Sequence, residues 1–332
     1  MIKPLVTAFT LTTAALPVAA ACTGESYFDR LTAEQRSTLD QAVADIPFSE
    51  GLIWTATKDA DTITVVGTMH IFDPRLEAIR ARVADAVTSS DIVLVEATPE
   101  DEAALQELIV TDPGRLFIVD GPTLPEQLDP ETWEMIAAAA TERGIPGFMA
   151  AKMQPWYLSL MLAIPPCAMT DMAAGVRGLD QMIMDDATAA GVPLQAVESF
   201  MTLFEIFQTE TLEDQVDMLR VNLMTPDLQQ EMFVAMLDRY FAEDVGRLWE
   251  MSRLAVSEIP ELDPVEGAAM FAEMEEGLLN QRNRNWIPVI LEATEAHDEI
   301  VLAVGAAHLI GDEGVLQLLQ NDGWTLTRQT SP

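Results

Sequence analysis

The sequence predicts an α/β fold of two pseudo-symmetric halves, each a parallel-sheet βαβ unit, with a large helical insertion between them. Short β-branched or apolar runs recur near both ends and near the middle of the chain, at "DTITVVG" (61–67), "DIVLVEA" (91–97), "VPLQAVES" (192–199) and "DEIVLAVG" (298–305). Helical patterns fill the long intervals, roughly 100–190 and 203–296. The first two runs flank "DPRLEAIRARVADAVTSS" (73–90), where Leu76, Ile79, Val83 and Val87 stand at helical spacing. That unit is βαβ, so its strands are parallel.

In chain order, residues 1–21 form a signal peptide: one Lys, an apolar stretch "PLVTAFTLTTAALPV", and small residues before a cleavage point. Residues 22–332 then form one α/β domain. Cleavage after Ala21 leaves Cys22 first. With Cys167 as the other of two cysteines, a Cys22–Cys167 disulfide is expected in an oxidising compartment, periplasmic or secreted. The alternative is a lipoprotein anchored through Cys22. "LTAEQRSTLDQAVADIP" reads as a helix with Thr32 as N-cap and Gln35 closing the capping box. "GLDQMIMDDATAAG" (178–191) is a helix in which Asp180 reads first as a capping residue and otherwise as a group that supports the site from behind. After the last apolar strand, "DEGVLQLLQNDG" is a helix stopped by Gly323, and "WTLTRQ" a closing strand.

The formal charge is −36, from 54 acidic and 18 basic residues. Such a surface repels phosphate backbones and anionic lipid, so nucleic acid is excluded as a partner. No later stretch reaches the roughly 18 apolar residues of a membrane span. "WYLSLMLAIPPCAM" (156–169) is too short and is broken by Pro165 and Pro166. Trp156 and Tyr157 fit a peptide groove and a core equally well.

Two of the chain's three histidines, His70 and His308, stand in matching Gly-x-x-His frames that begin at Gly67 and Gly305. Four expected strands each end near a His or a Glu: His70, Glu96, Glu198 and His308. Ligands of open parallel sheets bind at such carboxyl ends. The glycines let the backbone turn tightly there. Two imidazoles with two carboxylates suit a divalent metal, His70, Glu96, Glu198 and His308 being its ligands, whose bound water becomes a nucleophile. They equally suit a metal-free site in which one His is the base for water.

"GTMH", "VLVEA", "GLD…A…G.P…VES", "RN.NW" and "VGAAHLIGDEGVLQLLQNDGW" together resemble the TraB/GumN family, the superfamily that includes PrgY and the Tiki metalloproteases. The likeness covers roughly residues 50–328. It implies paired sheet halves of the Tiki and erythromycin-esterase kind, with His70, Glu96 and His308 in the active site and Glu198 beside them. Tiki-like members imply a peptidase dependent on manganese or cobalt, with zinc also suited to these ligands. The erythromycin-esterase relatives imply a metal-free His base acting on an ester. ChaN-type relatives imply haem, and PrgY-like members peptide pheromones, so a non-catalytic peptide or haem binder using the same cleft is the other class. Arg282 and Asn283 match the family's late helix. Arg282 is then either a clamp for substrate or oxyanion, or an ion-pair partner. Arg75 is a further candidate to face the site.

Overall fold

The computed structural model describes residues 22–209, 211–221, 223, 225–257 and 263–330; the leader at 1–21 lies outside them. Strands β1 (Ile53–Lys58), β2 (Asp61–Thr68), β3 (Ile92–Val95), β4 (Leu194–Ala196), β5 (Glu299–Gly305) and β6 (Thr325–Arg328) pair in the order β4-β3-β5-β2-β1-β6. The four strands β4, β3, β5 and β2 are mutually parallel, while β1 runs antiparallel to both β2 and β6.

The α/β class read from the sequence holds, and β2 and β3 are parallel as expected. The two halves, however, share one sheet: β5, from the end of the chain, lies between β2 and β3. Composition explains this. The five residues Ile300–Val304 are all buried, and a strand without a polar face is stable only at the centre, covered on both sides. By contrast, β6 alternates between exposed and half-buried residues, as suits an edge. Strand β1 was absent from the expected elements. "IWTATK" alternates at only some positions, and its hairpin turn relies on Asp59 in the left-handed region at φ 55°.

The Leu76–Ser89 helix buries Leu76, Ile79, Val83 and Val87, the four residues its spacing picks out. It packs against the Leu179–Ala190 helix, which ends at Gly191 with φ 77°. The Ala33–Ala44 helix has the full Thr32–Gln35 capping box. In the helical insertion, Leu124, Ile136, Leu158 and Leu162 form a core separate from that of the sheet. Trp156 stacks on Phe207 and is buried in another small cluster, so it is core and not groove.

Cys22 and Cys167 are bonded, with their Cα atoms 5.3 Å apart. The bridge ties the first described residue to the Pro166–Ala173 helix and fits an oxidising compartment. Its long loop stabilises the fold by about 2–4 kcal/mol. The bond takes up the Cys22 sulfur, the same atom that the acyl anchor expected as the alternative would need. Among the described residues no helix is long and apolar enough to cross a membrane.

Candidate active site

The two Gly-x-x-His frames lie side by side because β2 and β5 are paired in register, Gly67 opposite Val304 and Thr68 opposite Gly305. Neither glycine has a positive φ, so the tight turning expected of them is not why they are there. They provide clearance. A Cβ on Gly67 would lie 3.1 Å from Ala306 Cα and from Leu309 Cδ2, against the short helix that carries His308. A Cβ on Gly305 would crowd Glu96 Oε1 at 3.3 Å, and the Gly305 N–H donates to that same oxygen at 2.7 Å.

Arg282 is the hub of the buried part. Its Nε donates to Glu198 (2.9 Å), and its NH2 group donates to Glu96 (2.7 Å) and again to Glu198. The NH1 group donates to the Leu278 carbonyl (3.0 Å) and lies 3.2 Å from His308 Nε2. A guanidinium has five N–H hydrogens, and these contacts engage all five.

The tautomer of His308 follows from its neighbours. The Asn283 amide nitrogen donates to the carbonyls of Glu313 (2.9 Å) and His308 (3.4 Å), which leaves its oxygen facing His308 Nδ1 at 2.6 Å. Nδ1 therefore carries the proton, and the Nε2 lone pair accepts from Arg282. Trp286 covers the imidazole, with centroids 4.3 Å apart. A π-helical turn, Glu276–Asn280, leads into the Gln281–Thr294 helix, whose buried face includes the consecutive Arg282 and Asn283 together with Trp286.

Burial pushes His308 down to about 3, with Arg282 and His70 adding to the effect against Glu96, so the ring is neutral at neutral pH. Burial alone would raise Glu96, but its neighbours His308, His70 and Arg282 and the Gly305 N–H outweigh it and hold the carboxyl at about 2.

His70 stands apart from this hub. Its Nδ1 lies 3.2 Å from Asp180 Oδ2, and its side chain is 64 % exposed. The hydrogen bond to Asp180, more than burial opposes it, raises the imidazole to about 9. Gly178 makes this pairing possible. A Cβ there would lie 2.0 Å from the Met69 carbonyl oxygen and 2.4 Å from His70 C, so only glycine fits against that backbone. The next N–H, of Leu179, donates to the Met69 oxygen at 2.9 Å, and the next side chain is Asp180. Asp180 is thus no cap: the N-cap residue is Gly178, without a side-chain bond.

The structure therefore gathers Glu96, Glu198, Arg282, Asn283 and His308 and sets His70 nearby with Asp180. Arg75 goes elsewhere, to Asp73 (2.9 Å), Asp238 (3.7 Å) and the face of Phe241 (4.0 Å). Gly178 and Trp286 are residues the sequence alone does not single out, and of the two readings of Asp180 the structure favours the one beside the site. The signal for Gly178 is a glycine where a helix start would ordinarily have Ser, Thr or Asp.

The donor set as arranged does not fit a divalent cation. The Arg282 guanidinium fills the space between Glu96, Glu198 and His308 and takes the His308 lone pair that a metal would need. Among the described residues no three His, Cys, Asp or Glu side chains are grouped to hold an ion.

No curated protein and no solved structure matches the chain. The model of the TraB/PrgY/gumN family matches residues 52–328, from the threshold of β1 to the last residue of β6, and so takes in every strand and every residue of this site. On that match the chain is a member of the TraB/PrgY/gumN family.

Proposed function

We propose that the mature chain is an exported hydrolase of peptide or small ester bonds in which His70 activates water without a metal. One observation carries this reading. Among the polar groups of the site, only the His70 ring combines an anchored nitrogen with wide exposure to solvent. Arg282 has no N–H to spare, His308 has given up its lone pair, and both oxygens of Glu96 are engaged.

In the proposed reaction Asp180 holds Nδ1–H and orients the ring, as a carboxylate orients the histidine of a hydrolytic triad. His70 Nε2 takes a proton from water as the oxygen attacks the carbonyl carbon. The imidazolium then returns that proton to the leaving amine or alkoxide. The buried Arg282–Glu96–Glu198–His308 network holds the floor of the site rigid and keeps its charges fixed. Since the base form of a group at about 9 grows tenfold per pH unit below that value, turnover rises with pH and levels off near 9.

The test is hydrolysis of a panel of fluorogenic esters and peptides by protein purified without chelator. Turnover is expected to vanish in His70→Ala and to survive EDTA. Full activity in His70→Ala overturns the reading. So does complete loss on EDTA with recovery on manganese.

A further inference from the structure

An open cavity of about 500 Å³ lies along the segments that build the site. Phe72 follows His70 closely, Glu102 belongs to the Pro99–Thr111 helix after Glu96, and Val176, Arg177, Met182 and Asp185 flank Gly178 and Asp180. Its volume is within the roughly 300–1,000 Å³ of small-ligand sites. Resting on the hydrolase reading above, we propose that this cavity receives a basic side chain of a peptide substrate, with Asp185 taking the charged end and Phe72, Val176 and Met182 packing along the aliphatic stem.

The charges around the cavity support a cationic occupant. Arg177 is already engaged: its NH1 group donates to both oxygens of Glu102 (2.9 and 2.7 Å) and to Gln181 (2.7 Å). Asp185 accepts only from the neutral Gln181 amide, at 3.1 Å, and forms no ion pair among the described residues. With Glu102 and Asp185 against Arg177, the wall carries one net negative charge (−1 −1 +1 = −1). The molecule as a whole carries −36, a field that concentrates cations at any open cleft and disfavours anionic ligands. The apolar part of the wall suits a stem of methylenes below an ammonium or guanidinium, the arrangement long basic side chains adopt at mixed surfaces.

The experiment measures binding and not turnover, so it stands or falls apart from the hydrolase reading. His70→Ala protein is titrated with N-acetylated, C-amidated tripeptides bearing a neutral fluorophore. These are Gly-Lys-Gly, Gly-norleucine-Gly and Gly-Glu-Gly, read by anisotropy. The lysine peptide is expected to bind about three- to tenfold more tightly than its norleucine isostere, with the glutamate peptide weakest. Asp185→Asn is expected to bring the lysine-to-norleucine ratio to about one, and Asp185→Lys to invert it. Asp185 is exposed on its helix, so both variants fold. A lysine preference that is absent, or that persists unchanged in Asp185→Asn, overturns the assignment. Binding as expected alongside wild-type protein that hydrolyses nothing would leave this pocket standing and remove the enzyme.

Discussion

Replacing Gly178 by Ala places a methyl group where backbone already stands. The new Cβ would be 2.0 Å from the Met69 oxygen, 2.4 Å from His70 C and 2.6 Å from His70 Cα. Such atoms almost never approach closer than 3.0 Å, so the 69–70 peptide must retreat by about 1 Å (3.0 − 2.0). Added to the present His70–Asp180 separation of 3.2 Å, that retreat takes the pair beyond hydrogen-bond reach. The Leu179–Met69 backbone bond is strained by the same movement. Overpacking together with one lost hydrogen bond amounts to roughly 2–4 kcal/mol, and in the role proposed for His70 a displacement of about 1 Å costs about 10²-fold in turnover.

The assay is a proton NMR titration of imidazole C2–H resonances, of which the chain has only three, beside a urea melt. His70 is expected to titrate near 9 in the parent and to fall toward the ordinary value of about 6.5 in Gly178→Ala. Gly147→Ala is the control, because its nearest neighbour would be 4.0 Å away. A Gly178→Ala protein with an unmoved His70 titration and an unmoved melting midpoint would refute the reasoning.

Three further outcomes follow from the same geometry. Arg282→Met strands Glu96 and Glu198 in the interior without their cation and is expected to destabilise by about 3–5 kcal/mol at pH 7, part of it regained on acidification, in urea melts. Asn283→Asp sets a carboxylate against His308 Nδ1 and is expected to raise that imidazole from about 3 into the range where NMR sees it titrate between pH 5 and 8; a ring that stays silent there would contradict the tautomer assigned. Finally, His70 has a folded pKa raised above its unfolded one, so the stability it contributes through Asp180 is complete below about 6.5 and is lost as pH rises through about 9. The parent protein should lose unfolding free energy across that window relative to Asp180→Asn, by less than the full shift implies because the ring is 64 % exposed.

Much of this was legible in local pattern. The β-branched runs that end at Gly67 and Gly305, and the spacing of Leu76, Ile79, Val83 and Val87, specify their elements without help from tertiary structure, and matching motifs at strand ends bring His70, Glu96 and His308 to one edge. What escaped depends on docking. Nothing next to Asp180 in sequence says that the Leu179–Ala190 helix will lie on the Met69–His70 backbone, and so a residue in a first helical turn reads as a cap. Arg282 reads equally as clamp or ion pair until its five hydrogens can be followed to their acceptors. The place of β5 in the sheet was in principle readable, because a fully apolar "IVLAV" has no side to show to water. β1 was harder, with only a short mixed-polarity run and one left-handed Asp59 to announce its hairpin.

The late arrival of β5 has a consequence for biogenesis. When about the first 298 residues have been made, β2 and β3 both exist as sequence but have no common neighbour, and each exposes an unpaired apolar edge. Cys22 and Cys167 can already join at that stage, around an unfinished sheet. Inserting β5 closes the gap and brings His308, just beyond its end, to the guanidinium on the preceding helix. A chain cut short before β5 is therefore left with two open apolar strand edges and a guanidinium without its imidazole.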